Sequence, residues 1–470
     1  MKDQKIIKNT HNIQNYLQKK DLNLGDYQKI YEDLIRSCYE ANSSIRLLDW
    51  FSSALISYKK NPNIKQEDLK QLTPLKKDDC ETLAKIKMSA KKDNNGLKKL
   101  AVIKLNGGLG TSMGCEGPKS LIAVTKTKRF IDFIVDQQHH YNQAYSIDIS
   151  LLMMNSFYTD LAMEKEGVDS FLQHRIPRIA EKDLTPLETE TLADWTPPGH
   201  GNIYLVLYES GILDDLLDQG KEILFISNSD NLGATIDEAL CEYVLEKKLD
   251  FLMEVTPRTL VDKKGGSVCY KDGILQLLER VQVKETDIET FEDSNQFQYF
   301  NTNNVWVRLR AIKEAIENDQ LNLPVMINKK MIQNKSIVQF ETAMGAAIKC
   351  FKNSACIHVE RNRFFPVKKT SDLFVLQSNL VSKQEDGTLQ WVNEKSVPSI
   401  KLSDEYQTIE GYKNLVRIVP DIIRLTSLTV KGPVVFKNNV KLVGNVSVIN
   451  ESSKPYILEN IEIDNQEIMI

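Results

Sequence analysis

The chain has 470 residues, 41% hydrophobic and 26% charged, which is ordinary soluble-protein usage and enough apolar material for two or three domains. A net charge of −4 with interspersed signs argues against the basic stripe of a nucleic-acid binder, and no run of about 18 apolar residues is present to cross a membrane. Seven scattered cysteines without C-x-x-C spacing point to free thiols rather than a disulfide framework or zinc site, and the N-terminus lacks the apolar core of a signal peptide, so a cytoplasmic protein is expected.

Residues 12 to 60 carry apolar side chains at three- and four-residue spacing, among them Tyr27, Ile30, Tyr31, Leu34, Ile35 and Cys38, and the spacing predicts helix. Residues 60 to 95 are polar and lysine-rich and are expected to form a junction. From about 96 onward, strand candidates at 100 to 105, 147 to 154, 222 to 227 and 250 to 255 alternate with helical stretches near 129 to 144 and 235 to 247. That alternation predicts an α/β domain with a mostly parallel sheet, whose binding residues cluster beyond the carboxyl ends of the strands.

The first such end leads directly into a glycine-rich loop. Gly107, Gly108, Gly110, Gly114 and Gly117 remove Cβ atoms so that backbone N–H groups can approach phosphate oxygens, and Lys119 offers an ammonium to the same anion. A dinucleotide fingerprint starting at Gly108 fails at Met113, and a Walker A loop fails because Pro118 separates Gly117 from Lys119. Pro118 also pushes Gly117 into an extended conformation, so no helix can begin there as in a P-loop. Asp230, closing the apolar run after 222, is the best carboxylate for Mg²⁺, whereas Asp237 reads better as a helix N-cap.

The last 45 residues change period. Val430, Phe436, Leu442 and Val448 recur every six residues, as do Val434, Val440 and Val446, with Gly432, Asn438, Gly444 and Asn450 at corner-like positions. This pattern predicts a short parallel β-helix. A two-residue strand period also fits the valines but does not account for the regular Gly/Asn placement.

The string from Leu105 to Ser120, Leu-Asn-Gly-Gly-Leu-Gly-Thr-Ser-Met-Gly-Cys-Glu-Gly-Pro-Lys-Ser, resembles the nucleotide-binding loop of eukaryotic-type UTP–glucose-1-phosphate uridylyltransferases, or UDP-glucose pyrophosphorylases. Further matches follow in the family's order: Pro-Pro-Gly-His-Gly at 197, Ser-Asn-Ser-Asp-Asn-Leu-Gly-Ala-Thr at 227, Lys-Gly-Gly at 264, Phe-Asn-Thr-Asn-Asn-Val-Trp at 300, Glu-Thr-Ala-Met-Gly-Ala-Ala-Ile at 341 and Arg-Phe-Phe-Pro-Val-Lys-Lys-Thr-Ser-Asp at 363. The resemblance implies a helical N-terminal segment over 1–95, a Rossmann-like, GT-A-like nucleotidyltransferase domain over 96–385, and a C-terminal left-handed parallel β-helix over 386–470. The end of that β-helix is a possible homo-oligomer contact.

By the same resemblance the reaction is uridylyl transfer from UTP to glucose 1-phosphate, giving UDP-glucose and pyrophosphate with Mg²⁺ as cofactor. Lys119 and Lys368 are the catalytic lysines it implies, with Lys369 the neighbouring rival of Lys368. UTP falls to Leu105, Asn106, Gly107, Gly108, Lys119, Gln173, Gly199 and Asp230. The sugar phosphate falls to His200, Asn228, Gly265, Gly266, Asn303, Glu341 and Lys368, and the metal to Asp230. Gln173 has both an amide donor and an acceptor to offer the uracil edge. Glu116, Asn202 and Ser229 depart from the family pattern. The alternatives are an N-acetylhexosamine or broad-specificity UDP-sugar enzyme, whose loops usually carry Gly-Thr-Arg where this chain has Gly110-Thr111-Ser112, and a catalytically silent nucleotide-sugar scaffold.

Overall fold

The computed structural model describes residues 45–470 apart from 63–65, 90–94, 188–190, 260–261, 263–264, 333, 385 and 393–396. The helical reading of 12 to 44 lies outside these residues. Its continuation is α1 (Ile45–Lys60), whose Leu47, Leu48, Phe51, Leu55 and Tyr58 share a face and pack on Ile179, Val338 and Phe340. Residues 66–89 do more than join: Thr73–Pro74 pairs with the strand Ser267–Lys271, and β1 (Glu81–Thr82) becomes an edge of the main sheet. Strands of two residues are too short to leave a periodic trace in a sequence.

The main sheet has eight strands. In chain order they are β1, β2 (Leu100–Asn106), β3 (Ser150–Asn155), β4 (Ser170–Leu172), β5 (Ile223–Asn228), β6 (Phe251–Pro257), β7 (Tyr299–Arg308) and β8 (Ser354–His358), and they lie in the order β1-β8-β6-β7-β5-β2-β3-β4. Every neighbouring pair is parallel except the two made by β7, which runs antiparallel between β6 and β5. Strand β2 is buried along its whole length because both faces of the sheet are covered. Leu100 and Val102 face a core shared with α2 (Phe130–Tyr145) and α3 (Glu238–Glu246); Ala101, Ile103 and Leu105 face the opposite core, shared with α4 (Leu309–Glu317). Strand β3 starts at Ser150, later than periodicity suggests, because α2 runs to Tyr145 and Ser146 caps it in a left-handed conformation at φ 52.

After α5 (Thr370–Gln377) and α6 (Ile409–Leu415) the chain forms a second system of parallel strands. Strands β9 (Ser399–Leu402), β10 (Asp421–Lys431), β12 (Val440–Ile449) and β14 (Ile461–Asp464) pair in that order, β15 (Glu467–Met469) also joins β12, and β11 (Val434–Phe436) pairs with β13 (Tyr456–Leu458). The parallel pairing excludes a hairpin meander. The seven apolar residues of the six-residue pattern are all buried, but only half of the Gly/Asn positions are left-handed: Gly432 (φ 74) and Gly444 (φ 67) are, while Asn439, Asn460 and Asn465 take the role expected of Asn438 and Asn450. Asn450 instead braces the coil, its amide donating to the carbonyls of Pro433 (2.8 Å) and Lys454 (2.9 Å). One buried cluster runs from Leu100 through α5 to Ile463, so this coil shares a core with the main sheet. Among the described residues no helix is long and apolar enough to cross a membrane.

Candidate active site

Strand β2 ends at Asn106 and the loop that follows is closed by a bridge between Leu109 and Pro118. Pro118, at φ −64 and ψ 141, leads into one tight turn over Lys119–Leu121 rather than an α-helix. The five glycines do different jobs. A Cβ on Gly108 would meet nothing within 4 Å, so this residue leaves the loop open; a Cβ on Gly110 would lie 2.7 Å from Cys115 Sγ, and Gly114 combines φ +62 with a Cβ position 2.8 Å from Thr408 Cγ2. Packing, as much as phosphate approach, therefore demands the glycine content.

A cleft of about 280 Å³ opens where β2, β3 and β5 end, and Leu105, Gly107, Gly108, Lys119, Gln173, Gly199, His200, Asn228, Asp230 and Glu341 line it together with Met154, Pro197 and Ser229. Lys119 is the meeting point: its Nζ donates to Asp230 Oδ2 (2.9 Å) and to the carbonyl of Val367 (3.1 Å), the residue before Lys368. The glycine loop, the turn after β5 and the segment before α5 thus converge through one ammonium. Lys368 itself is exposed outside the lining, yet its charge reaches both His200 and Glu279. The backbone N–H groups of Lys368 and Lys369 both donate to Asp372, which fixes the start of α5.

The other side of the cleft is built from the Pro197 to Asn202 segment. Gly199 sits at φ +83 with its missing Cβ 2.4 Å from the Thr342 carbonyl, a position only glycine can fill. The Met344 N–H donates to His200 Nδ1 (2.9 Å), which assigns the proton of the neutral ring to Nε2. Burial, aided by Lys368, pushes His200 down to about 4, so near pH 7 it is an uncharged donor. Gln173 donates to the Gly199 carbonyl (2.6 Å) and so ties the uracil-side candidate to the same wall. Glu341 accepts from Asn328 (3.0 Å), and burial raises its carboxyl above the usual range.

Besides Lys368, four of the residues implied by resemblance lie outside the cleft lining. Asn106 lies beneath the floor, donating to Asn155 (2.9 Å) and accepting from Ser229 (3.3 Å). Asn303 occupies a bulge in β7 at φ 59, and that left-handed turn aims its amide at Asn228 Oδ1 (2.8 Å). A Cβ on Gly265 would lie 2.3 Å from the Phe300 ring, and one on Gly266 would lie 3.1 Å from the Glu279 carboxyl. Glu279 was invisible to motif reading, since it belongs to none of the matched strings. Burial raises its pKa while Lys368 opposes the shift, so it is an unanticipated carboxyl facing the same charge.

A larger cavity of about 890 Å³ lies on the opposite side of the wall, against α1, Pro198, Asn202 and Thr342. The smaller cleft is the candidate because the loop, the ammonium and the carboxylate converge there. Asp237 proves to be the N-cap of α3, accepting from Leu240 N–H (3.3 Å).

Beneath the floor, Lys104 is 3% exposed and donates to Ser227 Oγ (2.8 Å) and the Ala234 carbonyl (2.7 Å); burial and the Arg363 guanidinium push it down to about 7. Its folded pKa lies below the unfolded value, so between about pH 7 and 10 the unfolded chain holds the extra proton. The resulting penalty is full below that window and fades as pH rises through it. Lys104→Met is expected to flatten the rise of stability with pH by up to about 1.4 kcal/mol per pH unit, read by urea denaturation of both proteins across the window. Equal slopes would refute the shift.

Parallel strands ending at a glycine-rich loop, with an ammonium–carboxylate pair inside the cleft, define an α/β protein whose cleft is built to receive the phosphates of a nucleotide. A sequence profile described as UTP–glucose-1-phosphate uridylyltransferase matches residues 48–443, and the chain belongs to that family. It is 41% identical over 386 residues to UTP–glucose-1-phosphate uridylyltransferase 2 of Dictyostelium discoideum, covering 79% of this chain and 77% of the relative. It is 42% identical over 369 residues to the Encephalitozoon cuniculi enzyme of that name, covering 76% and 75%. Among solved structures, UDP-glucose phosphorylase of Trypanosoma brucei superposes with a TM-score of 0.85 at 35% identity over 94% of this chain and 100% of that one. A mutant UDP-glucose pyrophosphorylase of Leishmania major in complex with UDP-glucose gives 0.86 at 31% identity over 94% and 99%.

Proposed function

We propose that the protein transfers the uridylyl group of UTP to α-D-glucose 1-phosphate, releasing pyrophosphate and forming UDP-glucose. The observation that carries this reading is the bridging of Asp230 and the Lys368 segment by Lys119 at the strand ends. A phosphate oxygen of the sugar attacks the α-phosphorus of UTP, a new O–P bond forms, the bond to the bridging oxygen of the β-phosphate breaks, and pyrophosphate departs with the electron pair. The nucleophile is already ionised and needs no general base. Alignment and fixed positive charge carry the rate instead, because the two reactants repel one another.

Leu105, Gly107, Gly108, Gln173 and Gly199 would take the uridine and its phosphates, and His200, Asn228 and Glu341 the sugar phosphate, with Asn303 acting through Asn228. Asn106 would act from below the floor, and Gly265 and Gly266 by letting Phe300 and Glu279 approach the hexose side. A neutral His200 can donate from Nε2 to a phosphate oxygen without titrating near pH 7. Mg²⁺ can be held by a single protein carboxylate and completed by phosphates and water. Asp230 would hold it, and the ion would supply charge neutralisation at the phosphates.

We further assign an N-terminal segment, catalytic domain and C-terminal unit to 1–95, 96–385 and 386–470, with β1 lent by the first to the sheet of the second, and read the parallel coil as a left-handed β-helix. Its terminal rung leaves Tyr456, Ile457 and Met469 exposed, which suits an end-to-end homo-oligomer. The absence of disulfides among the described cysteines suits a cytoplasmic setting.

Pyrophosphate release from UTP and Mg²⁺, measured across a panel of sugar 1-phosphates, tests the assignment. Turnover with glucose 1-phosphate is expected. Turnover confined to an N-acetylhexosamine phosphate would replace glucose by that sugar, and none with any sugar would leave the scaffold reading.

A further inference from the structure

The turn after β5 and the segment before α5 are joined by one buried amide. Asn231 is 2% exposed and uses its whole side chain: Oδ1 accepts from the N–H groups of Gly233 (3.2 Å) and Phe365 (2.8 Å), and Nδ2 donates to Asn304 Oδ1 (3.2 Å) and the Arg363 carbonyl (3.4 Å). Its backbone bridges to Pro366, and the carbonyl of its neighbour Asp230 accepts from the Val367 N–H (3.1 Å). Asn231 therefore has the candidate metal carboxylate on one side and, two residues beyond Pro366, the candidate catalytic Lys368. It does not line the cleft.

We infer that Asn231 is a positioning residue for the transfer step, holding the Asp230 turn and the Lys368 segment at a fixed separation; this rests on the proposed uridylyl transfer. The chemistry of the position selects an amide. Two backbone donors require an acceptor, while Asn304 Oδ1 requires a donor and the Arg363 carbonyl takes a second one beside Asn304 Nδ2 (3.3 Å), so a carboxylate would face two acceptors and an aliphatic side chain would leave Gly233 N–H, Phe365 N–H and Asn304 Oδ1 without the amide. The partner segment is itself immobilised below. Arg363 donates from Nε (2.8 Å) and Nη2 (2.6 Å) to the two oxygens of Glu254, and from Nη1 to Thr235 Oγ1 (2.8 Å). A rigid buried base with one amide at its top is a structure that transmits position rather than contacting substrate.

The test uses the full chain and measures kcat, KM for UTP and glucose 1-phosphate, UDP-glucose affinity by calorimetry, and the thermal midpoint. Asn231→Ala is expected to lower kcat by roughly 10- to 100-fold, with KM and UDP-glucose affinity within about threefold. In a Lys368→Met background the same substitution should cost less than about threefold more, because the group it positions is gone. Equal fold losses in both backgrounds, or a raised KM with kcat unchanged, would overturn the role. Should Asn231→Ala fail to fold, Asn304→Ser withdraws one of the four Asn231 side-chain bonds, together with the Asn304 bonds to Glu254 and the Arg363 carbonyl, and should lower kcat several-fold in the same non-additive pattern; unchanged kcat would overturn it. A wild-type protein that turns over no sugar phosphate removes the proposed reaction, and this role with it, whereas an active wild type with additive variants removes the role alone.

Discussion

Lys119→Met is expected to reduce turnover by about 10²–10³, and Lys368→Met by a similar factor. The two losses should differ in kind. The Lys119 ammonium is bonded to Asp230 and the Val367 carbonyl inside the cleft, so its removal leaves the Asp230 carboxylate without its partner and loosens the contact between two segments. Lys119→Met should therefore also raise KM for UTP and shift the dependence of rate on Mg²⁺ concentration. Lys368 lies exposed at the edge, with its charge felt by His200 and Glu279, and its removal should fall mainly on kcat. Steady-state kinetics of both variants over a range of Mg²⁺ concentrations decide the matter. A loss of less than about threefold in either would remove that lysine from the electrostatic machinery.

Arg363→Met is expected to destabilise the fold by about 3–5 kcal/mol, the cost of leaving a buried charge without its partner. Glu254 is fully buried, and among the described residues only Trp306 Nε1 (2.9 Å) and Asn304 Nδ2 (3.0 Å) would still donate to its side chain without the guanidinium. Asp237, 3.6 Å from Arg363 Nη1, would keep Lys87 (2.8 Å) as its ion-pair partner among the described residues. Combining Arg363→Met with Glu254→Leu should recover much of the loss, since a matched apolar pair avoids desolvating an uncompensated carboxylate. Urea denaturation of the single and double variants reads both effects, and a double variant no more stable than the single would show that the network's hydrogen bonds matter more than its charge balance.

Much of the sheet was legible because buried parallel strands are continuous apolar runs of adequate length. Strands β2, β5 and β6 and helices α2 and α3 fall where apolar runs and three-to-four spacing put them. The antiparallel β7 was not among the strand candidates: four of the six residues from Tyr299 to Asn304 are Asn or Thr, and its amides serve Asn228, Glu254 and Asn231 rather than a plain apolar core. The short β1, β4 and Thr73–Pro74 carry no period at all. In the C-terminal coil the apolar positions were readable, but which residue turns each corner depended on neighbouring rungs, as where the Asn450 carbonyl fills the space beside Gly432.

The residue string from 100 to 120 by itself determined a strand, a loop open to an anion and a stop to any P-loop helix, because those follow from Cβ sterics and the fixed φ of proline. Only the tertiary structure decided that Lys119 grips Asp230 and Val367, that His200 is held neutral, that Glu279 faces the charge of Lys368, and that Asn231 clasps both flanks. These are interactions between segments far apart in the chain, and local pattern contains no record of which buried polar groups must satisfy one another.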